Sequence, residues 1–210
     1  MLIVGAKGFA KEILEVFSQL NDLSNIFFYD DKSADLPDLL FGKFPVLQTP
    51  DAARQLFVRD PRFVLGIGNP AIRQALAQKM VSLGGELTGC ISPRAAIGAF
   101  NNQIGQGINI MTGVVITNDV KIGDGVLLNL NCTIGHDVRI GNFCELSPGV
   151  HVSGNVVLGE KVVVGTGAVL LPGVVIGDNT VIGAGSVVTK SLEANVVAVG
   201  APAKVIKHLI

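Results

Sequence analysis

The chain has 210 residues, a formal net charge of −1, 26 Gly, one Tyr and no Trp. That length allows one large or two small domains, and the near-neutral balance excludes the broad basic surface that nucleic acid or an anionic membrane requires. The three cysteines, Cys90, Cys132 and Cys144, show neither metal nor redox spacing, and no apolar run reaches membrane-spanning length without turn residues, so a soluble cytoplasmic protein with no metal is expected.

Residues 1–88 alternate between short apolar runs and amphipathic stretches. Met1 leads directly into the strand Leu2-Ile3-Val4, and Gly5-Ala6-Lys7-Gly8 makes a tight turn. A helix follows, with Phe9, Ile13, Val16, Phe17 and Leu20 on one face and Lys11, Glu12, Glu15 and Gln19 on the other. Ile26-Phe27-Phe28-Tyr29 is a second strand ending in Asp30-Asp31, and a loop to about Lys43 leads to Phe44-Pro45-Val46-Leu47. Thr49 and Pro50 read as an N-cap with proline at the first helical position, for a helix ending near Phe57. Phe63 to Ile67 is another strand. Asn69-Pro70 then starts a helix with Ile72, Leu76, Met80 and Leu83 inward, which Gly84-Gly85 ends. The alternation predicts a small Rossmann-like α/β domain with a parallel sheet.

Residues 89–210 read differently. From Ile104 to Val188 an aliphatic residue recurs every sixth position without a break in phase, small or β-branched residues fill most fifth positions, and glycine is frequent at the second. A period of six fits neither a helix nor a two-sided strand; it is the repeat of a parallel β-helix. Three sixes make one triangular coil, and five coils at roughly 4.8 Å each give a prism roughly 24 Å long. Gly, Asn and Asp at the corners tolerate the backbone angles of a turn. Ile97 to Ile104 is seven residues, so the first coil carries a one-residue irregularity around Ala99–Asn102, and after Val188 the phase is lost in a short tail. Cys132 and Cys144 fall on inward fifth positions, where Cys serves as a small apolar residue.

The residues that carry chemistry are few. The Gly5–Gly8 turn is open to two readings, a set of backbone N–H groups facing a phosphate or a plain strand-to-helix turn, since Ala10 breaks the G-x-G-x-x-G spacing. Asp30 and Asp31 end the second strand where an acid can bind a ribose hydroxyl, and Gly66-Ile67-Gly68-Asn69 ends the third at the same sheet edge. Three converging strand ends favour a ligand crevice, most naturally for a nucleotide. His136 is the third residue of its six, at a corner, and is followed by Asp137, whose carboxylate can hold the ring tautomer; the pattern fits a general base or an idle surface histidine. His151 ends its six and faces outward, and His208 lies in the tail; both read as idle. Three scattered histidines make a poor zinc set, and no G-x-S-x-G elbow is present.

The whole chain resembles the bacterial sugar acyltransferases typified by sialic acid O-acetyltransferases and UDP-amino-sugar N-acetyltransferases. The resemblance rests on Gly5 to Glu12, Asp30-Asp31, Ile67-Gly68-Asn69, Ile91-Ser92-Pro93, Leu128-Asn129, Ile134-Gly135-His136-Asp137, Gly141-Asn142-Phe143, Ser147-Pro148-Gly149, Gly154-Asn155-Val156 and Gly200 to Lys204. It implies a left-handed β-helix, a homotrimer, and acetyl-CoA bound in the groove between neighbouring prisms. By the same resemblance His136 is the catalytic base and Asp137 its supporting acid. Glu145, Gly154, Thr166 and Ala184 fall at acetyl-CoA positions, while Gly5, Lys7, Gly8, Asp30, Asp31, Gly68 and Asn129 fall at sugar or nucleotide positions. The chain departs from the pattern twice. Glu145 stands where amino-sugar enzymes often have a second histidine nine residues after the base, and Phe9 where many relatives have a histidine.

The implied function is acetyl transfer from acetyl-CoA to a hydroxyl or amine of a sugar or nucleotide-linked sugar, in surface polysaccharide or glycan biosynthesis. The alternative is a non-catalytic nucleotide-sugar-binding or scaffold protein on the same fold. An amino-acid acetyltransferase of the serine type is disfavoured by the α/β domain.

Overall fold

A computed structural model describes residues 1–209 and divides them into two compact units, Met1–Pro93 and the residues from Arg94 onward. The first unit runs β1 Leu2–Val4, α1 Gly8–Gln19, β2 Phe27–Tyr29, β3 Leu39–Leu40, β4 Phe44–Leu47, α2 Pro50–Phe57, β5 Arg62–Leu65, α3 Pro70–Ser82 and β6 Glu86–Leu87. Its sheet has the order β3-β4-β2-β1-β5-β6, parallel except for β3, which pairs antiparallel with β4. The chain builds outward from β1 on one side and then returns to β5 on the other, so the topological switch lies between β1 and β5. The predicted cap forms, Ala52 N donating to Thr49 Oγ1 at 3.3 Å, and Asn69, read as the start of its helix, caps it in the same way, accepting from Ile72 N at 3.1 Å.

Two helix faces differ from expectation. On α1 the buried set is Ala10, Ile13, Leu14, Val16 and Phe17, while Leu20, just past the last turn, is exposed. On α3 the buried set is Pro70, Arg73, Ala77 and Met80; Ile72 is exposed and Leu76 and Leu83 are only half-buried. The cause is Arg73. Its guanidinium donates to the carbonyls of Ile67 and Gly68 at the end of β5, so its stem lies in the interface and turns Ile72 outward. β3 was part of the expected loop, because a two-residue edge strand leaves no periodic trace.

The second unit is a left-handed parallel β-helix. Residues eighteen apart pair in register on three faces, except across the seven-residue step, where Ala96 pairs with Val115 nineteen residues on. The first face presents Asn109, Leu127, Glu145, Val163 and Val181 outward; the second presents Ala96, Val115, Thr133, His151, Val169 and Val187; the third presents Gln103, Lys121, Arg139, Val157 and Val175. The interior is filled by the predicted first and fifth positions, from Ile108 and Ile110 to Val188. The fourth residue of every six, from Gly107 to Gly185, has φ between +55° and +77°. That left-handed region explains the Gly, Asn and Asp there. The second-position glycines have another cause: a Cβ on Gly135 would lie 2.7 Å from Gly154 N in the next coil.

The seven-residue step is fastened by Asn102, whose side chain donates to Gly98 O and Thr117 O and accepts from Val120 N. Beyond Val188 there is more order than the expected tail. Val196–Val199 pairs antiparallel with Lys204–His208, joined through a cis Ala201–Pro202 bond, and His208 belongs to this hairpin. Two buried hydroxyls tie the end of the chain down: Thr180 Oγ1 donates to Glu193 O, and Ser186 Oγ accepts from Gly200 N. Among the described residues no helix is long and apolar enough to cross a membrane.

Candidate active site

The expected crevice residues of the first unit stand on three adjacent strand ends. Gly5 follows β1 with φ +112° and donates from its N–H to Tyr29 O at 2.7 Å. A Cβ there would meet Gly66 O at 2.9 Å, so the loops after β1 and β5 close on each other at the switch point. Lys7 is the exposed N-cap residue of α1 with no side-chain cap, and Gly8 opens the helix into free space. The first-turn N–H groups of Gly8, Phe9 and Ala10 therefore have no acceptor among the described residues, as an anion site requires. Gly68 offers its carbonyl to Arg73.

The two acids after β2 are already partnered. Asp30 closes a local turn, its Oδ1 accepting from Lys32 N and Ser33 N and its Oδ2 from Ser33 Oγ. Asp31 Oδ2 binds Lys79 Nζ at 2.5 Å, and the same ammonium donates to Tyr29 Oη at 3.0 Å. Burial alone would raise the Asp31 pKa, but Lys79's hydrogen bond and charge outweigh it and hold the carboxyl below its usual range. Burial likewise opposes the Lys79 charge and is outweighed by Asp31 and Tyr29, so that ammonium is held above its usual value. Lys79, Tyr29 and Arg73 escaped the sequence reading, since their sequence distance from the strand ends leaves no local signal.

In the β-helix, His136 and Gly154 share one edge, where the second face turns into the third. His136 is exposed, and its Nδ1 lies 2.8 Å from Asp137 Oδ2. Asp137 holds φ +60°, the angle its turn position demands, so one residue supplies both the corner and the carboxylate. The His136 ring lies over Gly154: a Cβ on Gly154 would come 2.6 Å from both Cε1 and Nε2. Thr166 and Ala184 lie exposed on a different edge, between the first and second faces. Asn129 is buried at that same edge, its Oδ1 accepting from Leu130 N. Glu145 stands half-buried on the first face, opposite the His136 edge. One chain therefore brings together His136, Asp137 and Gly154, and separates them from Glu145, Thr166, Ala184 and Asn129.

The edges differ in how their backbone is satisfied. On the edge between the third and first faces, side chains from the next coil cap the corner N–H groups: Asp124 caps Gln106, Asn142 caps Asp124, and Asp178 caps Glu160. The N–H groups of Gly154, Thr166 and Ala184 have no protein acceptor among the described residues. The unpaired Gly154 N–H beside an imidazole suits a site where negative charge develops on a carbonyl oxygen. The thiols are unsuited to attack: burial pushes Cys90 up to about 12 and Cys132 up to about 11. No group of residues that could hold a metal ion occurs among the described residues.

Residues 1–80 match the PglD N-terminal domain family, and residues 155–190 match the bacterial transferase hexapeptide family of six repeats. Perosamine N-acetyltransferase from Caulobacter crescentus, solved with CoA and GDP-perosamine, is 32% identical over 98% of this chain and 96% of its own, with a TM-score of 0.89. The acetyltransferase domain of PglB from Neisseria gonorrhoeae FA1090 is 30% identical over 98% of each chain, TM-score 0.85, and has also been solved with acetyl coenzyme A. WeeI from Acinetobacter baumannii AYE is 29% identical over 98% of each chain, TM-score 0.87. No curated protein sequence matches the chain.

Proposed function

Since the chain belongs to the bacterial hexapeptide-repeat sugar acetyltransferases, we propose that it transfers the acetyl group of acetyl-CoA to the amine of a nucleotide-linked amino sugar. The observation that carries this reading is the His136–Asp137 pair lying over Gly154, whose N–H is free. Support for an amine acceptor comes from the perosamine enzyme, an N-acetyltransferase solved with its nucleotide sugar.

The chemistry follows from the geometry. Asp137 accepts from Nδ1–H and so leaves Nε2 as the free base. The amine nitrogen attacks the thioester carbonyl and Nε2 takes the proton that the nitrogen sheds. Asp137 steadies the imidazolium, and Gly154 N–H donates to the oxyanion. The C–N bond forms, the C–S bond breaks, and CoA leaves as thiolate, which the imidazolium can reprotonate. No covalent acyl-enzyme is required.

The remaining site residues sit on a different edge and face from His136, so the active form is a homotrimer in which the His136 edge of one prism meets the Thr166–Ala184 edge of the next. Those free N–H groups hold acetyl-CoA, with Glu145 of the same prism at the groove. The strand-end crevice of the first unit holds the nucleotide sugar through Gly5, Lys7, Gly8 and Gly68. Lys79 keeps Asp31 ionised there as an acceptor. With these substrates the reaction runs in the cytoplasm and feeds a surface glycan.

The test is thiol release from acetyl-CoA with GDP- and UDP-linked 4-amino sugars, CMP-linked sialic acid and serine as acceptors. Release with an amino-sugar nucleotide is expected, and His136→Ala should lower kcat by about 10²–10⁴. An undiminished His136→Ala rate removes His136 as the base. Acetyl-CoA binding without transfer to any acceptor favours the non-catalytic reading. Sizing should give about 66 kDa for three chains of 21.9 kDa; a monomer refutes the shared groove.

A further inference from the structure

The inner face of α3 holds a charge that packing does not call for. Arg73 is 1% exposed, and the residues buried after it on the same face, Ala77 and Met80, are apolar. Taking a guanidinium out of water costs more than burying an apolar side chain of similar size. Three consecutive carbonyls converge on this one residue. Its guanidinium donates to Ile67 O at 3.3 Å and to Gly68 O, and its backbone N–H donates to Asn69 O at 2.8 Å.

That convergence also orients the other side of the same peptide units. In a trans peptide the C=O of one residue and the N–H of the next point in opposite directions. With the carbonyls of Ile67 and Gly68 held toward Arg73, the N–H groups of Gly68 and Asn69 are held away from it. Neither N–H has an acceptor among the described residues. The Asn69 side chain caps Ile72 N and so is engaged within α3. Gly68 is half-buried and Asn69 exposed, so both donors stand within reach of solvent. They follow β5 at the switch point, where Gly5 approaches Gly66.

We infer that Arg73 is a positioning residue for the diphosphate of the acceptor: it turns the Gly68 and Asn69 N–H groups toward the anion and sets a buried positive charge behind them. Successive backbone N–H groups facing one way make an anion-binding concavity. A buried charge is also screened by salt far less than an exposed one. The inference rests on the nucleotide-sugar acceptor proposed above. It adds a residue that acts through the backbone of the site and does not touch the ligand.

The experiment compares Arg73→Met, which removes the charge and its donors at similar volume, with Arg73→Lys, which keeps a charge but loses the planar fork. Lys7→Gln, at the exposed N-cap of α1, is the salt-sensitive comparison. Calorimetric titrations use GDP, GMP and guanosine and the matching uridine series, in low and high salt, below the melting temperature of each variant. Arg73→Met should weaken the bound nucleoside diphosphate by about tenfold, the monophosphate less and the nucleoside not at all. That loss should persist in high salt, whereas the loss in Lys7→Gln should shrink. In thiol release with the nucleotide-linked 4-amino sugar, KM for the sugar should rise about tenfold, while kcat and KM for acetyl-CoA stay within about twofold. Arg73→Lys should recover part of the diphosphate affinity; where Arg73→Met does not fold, the lysine variant carries the test, with a loss of about threefold for the diphosphate and none for the nucleoside. Equal losses for diphosphate and nucleoside make Arg73 a packing residue and overturn the inference. So does wild-type diphosphate affinity in the variants that fold. A wild-type chain that binds acetyl-CoA but neither GDP nor UDP refutes the nucleotide-sugar reading itself, a different failure.

Discussion

Replacing Gly154 by alanine separates the two roles proposed for the His136 edge. The new Cβ would stand 2.6 Å from Cε1 and Nε2 of His136, and optimal carbon contacts need 3.5–4.0 Å, so the ring must retreat by about 1 Å. Retreat is easy for an exposed side chain, but it stretches or breaks the 2.8 Å bond to Asp137 and carries the basic nitrogen off its line. A misplacement of about 1 Å costs about 10²-fold in rate. The backbone N–H remains, so acetyl-CoA binding should change little. Gly154 is not among the positive-φ glycines, so alanine adds no backbone strain, and the loss of unfolded-chain entropy contributes about 0.4–1 kcal/mol of stability. The expected outcome is a kcat down about a hundredfold, a KM for acetyl-CoA within about twofold and a melting temperature not lowered, measured by thiol release and thermal denaturation. A kcat within threefold of wild type would show that the ring position over Gly154 is not the catalytic one.

Asp137→Asn keeps a residue that tolerates φ +60° and an oxygen for Nδ1–H but removes the charge; kcat should fall about 10–100-fold with an unchanged melting curve. Asp137→Ala should lose more activity and also melt about 2–4 °C lower, since roughly 1 kcal/mol of left-handed strain is added; equal melting of the two variants would contradict the corner argument. In the first unit, hydrogen bonds from Arg62 hold Asp60 well below the usual carboxylate value of 3.8, against the opposing effect of burial. A depressed folded pKa stabilises above the unfolded value, so this contribution is present above about pH 4 and is lost as pH falls further. Asp60→Asn should lower the first melting transition at pH 7 by about 2 kcal/mol and flatten its fall below pH 4; parallel wild-type and variant curves from pH 7 to pH 2 would refute the linkage.

The β-helix was legible because its core repeats every six residues on one chain, so each coil restates the pattern without reference to anything distant. The α/β unit was legible at its caps, where Thr49 and Asn69 bond to N–H groups three residues away. It was not legible at the inner face of α3. There a buried arginine is satisfied by carbonyls of a strand end, a tertiary fact that reverses the hydrophobic reading of Ile72 and Arg73. The terminal hairpin was missed for a similar reason: its antiparallel partner breaks the six-residue phase, and nothing local announces that Val196–Val199 and Lys204–His208 will pair. At the site, His136 and Asp137 are adjacent in sequence and were found together, and Gly154 follows by the eighteen-residue coil. Lys79 joins Asp31 only through the fold of the first unit.

The proposed active corner asks little of the scaffold. Every coil needs a residue able to hold positive φ at the fourth position of each six, and Asp is among the few that can. Placing Asp there after a histidine yields an oriented imidazole from ordinary turn chemistry. The stacking then supplies the second component, because the residue eighteen further on lies against the ring and must be small. What distinguishes the corners of Gly154, Thr166 and Ala184 is therefore not their backbone path, which every corner shares, but that their N–H groups are uncapped, whereas Leu130 and Phe100 on the same two edges are capped by Asn129 and Asn118. The edge lined by Asp124, Asn142 and Asp178 spends its acids and amides on neighbouring coils and has little left for a ligand. The corners at Gly154, Thr166 and Ala184 leave their N–H groups without an acceptor among the described residues. An uncapped corner in a stacked repeat is a polar group with no protein partner, and two such edges on one prism are what the proposed groove between copies of the chain would use.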